Sequence, residues 1–128
     1  MAGISTYLAN KLLDHTLRNV AYTPPAAVYV AVYTTNPTAS DTGTEVSGGG
    51  YARQQATFNP SSGGVITNNA DIIFPTSTAS WGTVAYVGIR DAATGGNLLY
   101  YAPLSVSKTI DPGDQLKIPS GQLSISID

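Results

Sequence analysis

The chain of 128 residues has no cysteine and only one histidine. Without cysteine there are no disulfide staples, no thiolate zinc site and no cysteine nucleophile, while the compartment stays open. A single histidine excludes a multi-histidine metal centre on one chain. Charge is also scarce. Only 11% of residues are charged, less than half of the roughly 25% in an average soluble domain. The six basic residues are scattered and the net charge is −2, so no cationic surface exists to release counterions from DNA or RNA. No apolar run approaches the roughly 20 residues of a membrane span. The first residues lack the basic start and apolar stretch of a secretory signal. Asn36 and Asn59 are each followed by proline, which removes both as glycosylation acceptors. Nucleic acid, membrane, metal and cofactor are therefore not expected as partners.

What replaces charge is hydroxyl: 15 Thr and 12 Ser, beside 13 Gly and 8 Pro. Such a composition is rich in β-compatible residues and punctuated by turns. The hydrophobic fraction of 42% supplies a core and argues against disorder, which needs low hydrophobicity with high net charge. The length suits one domain.

Residues 5–19 carry the helical pattern. Ser5 or Thr6 can cap the start. Leu8, Leu12, Leu13, Leu17 and Val20 fall within about half of the circumference at 100° per residue. Pro24 and Pro25 end it. About four turns is marginal for a free helix, so its leucines should be buried, against either the chain's own sheet or a neighbour. From Ala26 the period becomes two. Val28, Val30 and Val32 alternate with Tyr29, Ala31 and Tyr33, predicting a strand with aliphatics on one face and tyrosines on the other. Residues 34–50 read as a loop. Further strand-like runs cover 51–58, 65–74, 83–91, 97–102, 114–119 and 121–127, separated by Gly, Pro, Asn and Asp clusters. The last two read as a hairpin with Leu116, Ile118, Leu123, Ile125 and Ile127 inward. The expected fold is all-β: an antiparallel β-sandwich or jelly-roll-like barrel with one N-terminal α-helix. Residues 1–25 form the helical arm and 26–128 a single β-sandwich domain.

Chemistry-bearing patterns are weak. Asp14 and His15 are helix neighbours and point about 100° apart, so they make no dyad. Gly48-Gly49-Gly50 lacks the Gly-Lys-Ser/Thr ending of a phosphate loop and enters a strand; it reads as a flexible loop that permits unusual dihedrals. Arg90 ends a strand, with an ion pair as its role. Asp111 and Asp114 flank Pro112-Gly113; two ligands fall far short of the six to eight of Ca²⁺, leaving turn chemistry. No catalytic residue is singled out. The tyrosines divide between core edge and subunit contact, since Tyr joins apolar area to a polar tip. Trp81 is either a cover for the sandwich end or, with nearby tyrosines, a sugar platform. Leu8, Leu12, Leu13, Leu17, Tyr51, Arg53 and Trp81 are the candidate interface residues.

Several segments resemble small tailed-bacteriophage virion structural proteins. They are the stretch from Leu8 to Asn19, Tyr22-Thr-Pro-Pro25, the run from Val28 to Pro37, Gly48 to Arg53, Asn68 to Ile72, Ala79 to Gly82 and Gly88 to Asp91. The resemblance covers nearly the whole chain in order. It implies a non-enzymatic virion component, assembled in the bacterial host cytoplasm. In such families head decoration (cement) and tail-fibre labels both occur. The preferred expectation is a capsid decoration protein that bridges shell subunits, with the major capsid protein as partner and a homotrimer as its state. The alternatives are a tail-fibre or baseplate module and a host-glycan-binding module.

Overall fold

The computed structural model describes residues 3–127. Ser5 caps helix α1 (Thr6–Leu17): its backbone is extended and its Oγ accepts the Leu8 N–H at 3.1 Å. Arg18 and then Asn19, whose φ is 57°, close the helix; asparagine tolerates that left-handed conformation. The residues before the helix, unassigned in the sequence, form a short edge strand, β1 (Gly3–Ile4).

The strands are β2 (Val28–Tyr33), β3 (Gln54–Ala56), β4 (Val65–Thr67), β5 (Ile72–Ile73), β6 (Gly82–Arg90), β7 (Leu98–Ile110), β8 (Lys117–Ile118) and β9 (Ser124–Ser126). All pairings are antiparallel. One five-stranded sheet has the order β1-β7-β6-β2-β3, and two short ladders pair β4 with β9 and β5 with β8. The core joins these layers. Val30, Val32, Val87 and Ile89 of the sheet pack with Ile72, Phe74, Leu116, Leu123 and Ile125 of the ladders. Each such side chain stabilises by about 1.5–3 kcal/mol when taken out of water. The architecture is all-β and antiparallel with one N-terminal helix.

The C-terminal hairpin is not formed. β8 and β9 do not pair with each other; they run together against β5 and β4. Four residues separate Thr67 from Ile72 where five separate Ile118 from Ser124, so one extended ribbon is interrupted rather than folded back. Asn68, fully buried, fills the interruption. Its Nδ2 donates to the carbonyls of Ala70 (2.9 Å) and Pro119 (3.1 Å), and its Oδ1 accepts the Leu123 N–H (2.9 Å). Its side chain thus satisfies the backbone of the 119–123 turn that would otherwise close a hairpin. Leu116, Leu123 and Ile125 face inward, whereas Ile127 is exposed.

Two other expectations change, for β7 and for the helix. β7 continues to Ile110 instead of ending near 102. Residues 104–107 bulge out against Ala85 before pairing resumes at Lys108. Pro103 lies on β7 beyond the short stretch that β1 covers, and edge positions tolerate proline. The tyrosine face of β2 is also covered: Ala31 and Tyr33 are buried. Gly88 on β6 permits this, because a Cβ there would come within 2.8 Å of the Tyr33 ring and 2.9 Å of Leu98. Finally, the helix buries only Leu8 fully; Leu12 is half-buried, and Leu13, Leu17 and Val20 are exposed. Leu13 and Leu17 lie about 140° further round the helix than Leu8 and Leu12, beyond the reach of the core.

Replacing Asn68 with alanine leaves the buried Leu123 N–H without its acceptor and removes the bonds to the Ala70 and Pro119 carbonyls, the second of which keeps the Gln122 N–H. Urea unfolding of Asn68→Ala should show a loss of about 3 kcal/mol. Asn69→Ala, at an exposed neighbour, should cost less than about 1 kcal/mol. Equal losses at the two positions would contradict this role for Asn68.

Candidate functional site

The long 34–50 loop and the β6–β7 turn meet at one end of the sheet, and two arginines hold them there. Arg90, at the end of β6, forms a bidentate pair with Asp41 at 2.8 and 2.9 Å. It also donates to the Tyr33 hydroxyl (3.0 Å) and to the carbonyls of Gly95 (3.3 Å) and Gly96 (3.0 Å). All five of its N–H donors are therefore occupied. Arg53 forms a second bidentate pair with Glu45, at 2.8 Å on both oxygens. It reaches the same turn through the carbonyls of Ala92 (2.9 Å) and Gly95 (2.8 Å). Both arginine side chains are only 8% exposed. Planar guanidinium–carboxylate forks of this kind fix orientation as well as charge.

Tyr51 extends the cluster into the core. Its hydroxyl donates to Glu45 (2.6 Å) and accepts the Val32 N–H (3.2 Å). Its ring stacks at 6.2 Å on Phe74 and meets Trp81 edge-on at 5.4 Å. Trp81 is buried and its indole N–H donates to the Gly49 carbonyl at 2.9 Å. Gly49 has φ 60°, and a Cβ there would sit 3.0 Å from the indole, so this approach depends on glycine.

Burial raises the Glu45 carboxyl, but hydrogen bonds from Arg53 and Tyr51 and the charges of both arginines outweigh it and leave it below 4.5. Burial and the bond to Glu45 push the Tyr51 hydroxyl upward, so it remains a protonated donor. In Arg90, desolvation is outweighed by Asp41 and Tyr33, and its pKa rises. These directions describe a permanently charged clamp that holds loops. Arg90 has no guanidinium donor left for a ligand, and buried Trp81 offers no exposed ring face on which a sugar could stack.

Of the residues singled out from the sequence, Tyr51, Arg53 and Trp81 come together here. The helix leucines do not join them. Asp41, Glu45, Tyr33 and Arg90 complete the cluster. Arg90 carried an ion-pair signal but no visible partner, because Asp41 is 49 positions away. Asp14 pairs with Arg18 at 3.2 Å, and His15 lies 3.0 Å from the Val20 carbonyl. Both stay at the helix surface. The Asp114 carboxylate accepts the Asp111 N–H at 2.9 Å, which is turn chemistry.

Two apolar surfaces are open elsewhere. One is the helix side bearing Leu13 and Leu17. The other is a groove of about 370 Å³ where the sheet and the β4–β9 ladder part, lined by Val28, Phe58, Val65, Tyr100, Ile125 and Ile127 among others.

The domain is small, antiparallel and β, with a clamped loop end and open apolar flanks. The chain belongs to the family described as Podophage GP4 fiber I protein gp80, whose model matches residues 3–126. Comparison with curated proteins gives no match. The family is of tail-fibre type, so it supports the fibre alternative and lends nothing to capsid cement.

Glu45→Gln should destabilise the fold by about 2 kcal/mol near neutral pH by leaving Arg53 without its countercharge. The sign of the pH dependence follows from the lowered pKa of Glu45. Its contribution is fully present above the unfolded value of about 4.5 and is lost as pH falls through the lower folded value. In urea titrations the gap between wild type and Glu45→Gln should be constant from about pH 7 to pH 5.5 and shrink below about pH 4.5. A gap that widens in acid would refute the assignment.

Proposed function

We propose that this chain is a structural subunit of a podophage tail fibre, without catalytic activity, which assembles as a homotrimer with other virion proteins. The observation that carries the reading is the family match over residues 3–126, which spans nearly all of the folded chain. The exposed leucines of α1 and the apolar groove support a role in assembly, because monomeric proteins seldom leave contiguous apolar patches uncovered. The clamp supports it as well. It makes the loop end rigid, and a rigid module loses little conformational entropy when it is built into a larger particle.

Immunogold electron microscopy of native virions should place the label at the tail. Particles depleted of the protein should keep the heat resistance of their heads and lose adsorption to host cells. A label on the head, together with heads that break at lower temperature when the protein is missing, would replace this reading with capsid cement.

A further inference from the structure

β9 is the outer strand of its ladder, and its free edge is bare. The Ile127 N–H donates to the Gly64 carbonyl (3.1 Å), and the Asn68 N–H donates to the Leu123 carbonyl (3.2 Å). These bonds fix the phase of the antiparallel ladder. Leu123, Ile125 and Ile127 bond toward β4, so Ser124 and Ser126 direct their N–H and C=O groups away from it. The far side of β4 is taken, since the Asn59 N–H donates to the Thr67 carbonyl at 2.9 Å. The outward groups of Ser124 and Ser126 have no hydrogen-bond partner among the described residues. Two neighbouring edges are guarded. β8, earlier on the same ribbon, carries Lys117 and runs into Pro119, while β7 beyond β1 carries Pro103, the 104–107 bulge and Lys108. Proline, lysine and bulges are devices that keep an edge from pairing. Residues 120–127 contain no proline and no charge, and the β4–β9 register runs without a bulge.

We infer that β9 is an interface strand, which pairs antiparallel with β9 of a second copy across a twofold axis at Ile125. Centred there, Ser124 faces the copy's Ser126 and Ser126 faces the copy's Ser124. Each of these pairs exchanges both of its main-chain hydrogen bonds. On the other face Ile125 meets the copy's Ile125, and Ile127 meets the copy's Leu123. Ile127, 57% exposed in the single chain, thereby gains an aliphatic cross-strand neighbour, and such pairs are what stabilises a sheet. This self-match selects a second copy as the occupant. The run Leu-Ser-Ile-Ser-Ile from Leu123 to Ile127 complements itself, aliphatic on aliphatic and serine on serine, and brings no like charges together within the ladder. A centre at Ser124 would set Ile127 against Gly121, and one at Ser126 would leave Leu123 without a partner among residues 120–127. The contact is isologous and closes at two. It therefore adds to the threefold association proposed above, joining subunits of two trimers, and it stands on the β9 edge alone.

The chain has no cysteine, so introduced thiols report without background. The test uses full-length Ser124→Cys and Ser126→Cys, mixed in equal amounts at about 100 µM under a mild thiol oxidant. The mixture should give a disulfide-linked dimer, because residues facing one another in a hydrogen-bonded pair stand about 5.5 Å apart, within the span of a disulfide. Either variant alone should crosslink several-fold less, since identical positions then lie about 8 Å or more apart, beyond that span. A second measurement uses Ser126→Pro, which removes an outward N–H that a free edge does not need. It should melt close to wild type and, in sedimentation velocity at the same concentration, show half the wild-type mass. A mixture no more crosslinked than its components overturns the proposal, as does equal mass for wild type and Ser126→Pro. If Ser126→Pro melts early, the thiol comparison decides. Failure of the fibre reading shows separately, as a head label on virions whose subunit still passes the thiol comparison.

Discussion

The guanidinium of Arg90, held out of water between three distant parts of the chain, is the contact on which the loop end of this structure depends. It lies at the end of β6, bridges to Tyr33 at the end of β2, and captures Asp41 from the middle of the long loop. Desolvating a charge on this scale costs several kcal/mol unless a countercharge and hydrogen bonds offset it. Here the offset is complete, since every donor has an acceptor. The price of that arrangement appears in the backbone: Thr38 and Asp41 both adopt positive φ, near 58°, which costs non-glycine residues about 1 kcal/mol or more each. Arg53 and Glu45 repeat the device and share the Gly95 carbonyl with Arg90. The two pairs are therefore linked through one turn. Loosening either should be felt by the other.

How much of this was legible in the sequence follows from the range of each interaction. The helix, β2 and β6 declare themselves because their patterns are local: period 3.6 before Pro24-Pro25 and period 2 after. The leucine arc was read correctly as lying within half of the helix. A core that reaches only Leu8 and Leu12 cannot be inferred from that arc, because the width of the groove receiving a helix is set by other parts of the chain. The ribbon was hidden for a related reason. β8 spans two residues and β9 three, too short for periodicity to name a partner. Their register is decided by Asn68, about fifty positions upstream, through its side-chain amide. A buried asparagine in a run of small polar residues looks like any turn former.

The site shows the same division. Tyr51, Arg53 and Trp81 stood out by residue type. Glu45, the partner of Tyr51 and Arg53, and Asp41, the partner of Arg90, sit in a loop rich in Gly and Thr, where aspartate and glutamate ordinarily face water. Trp81 illustrates how residue type misleads. A lone tryptophan near tyrosines suggests a ligand platform, but three glycines with positive φ bring a backbone carbonyl onto its indole N–H and convert it into core. Head or tail placement lay outside the reach of the residues altogether, because clamping a shell and building a fibre ask the same things of a small rigid domain.

The scarcity of charge links the interior to the assembly. Of the few charged residues, Asp41, Glu45, Arg53 and Arg90 are paired internally at the loop end. Asp14 with Arg18, and Asp71 with Lys117, pair locally on the surface. Much of what remains outside is hydroxyl, amide and aliphatic. Covering such a surface removes water from groups whose burial costs far less than that of an ion, provided their hydrogen bonds are replaced. A net charge of only −2 also leaves little long-range repulsion between copies. A free-living soluble protein avoids both features, since near-neutral surfaces with apolar patches promote association. The exposed leucines of α1 and the apolar groove have the same tendency. The internal clamps fix the shape of the loop end, and the near-neutral exterior lowers the electrostatic cost of covering it.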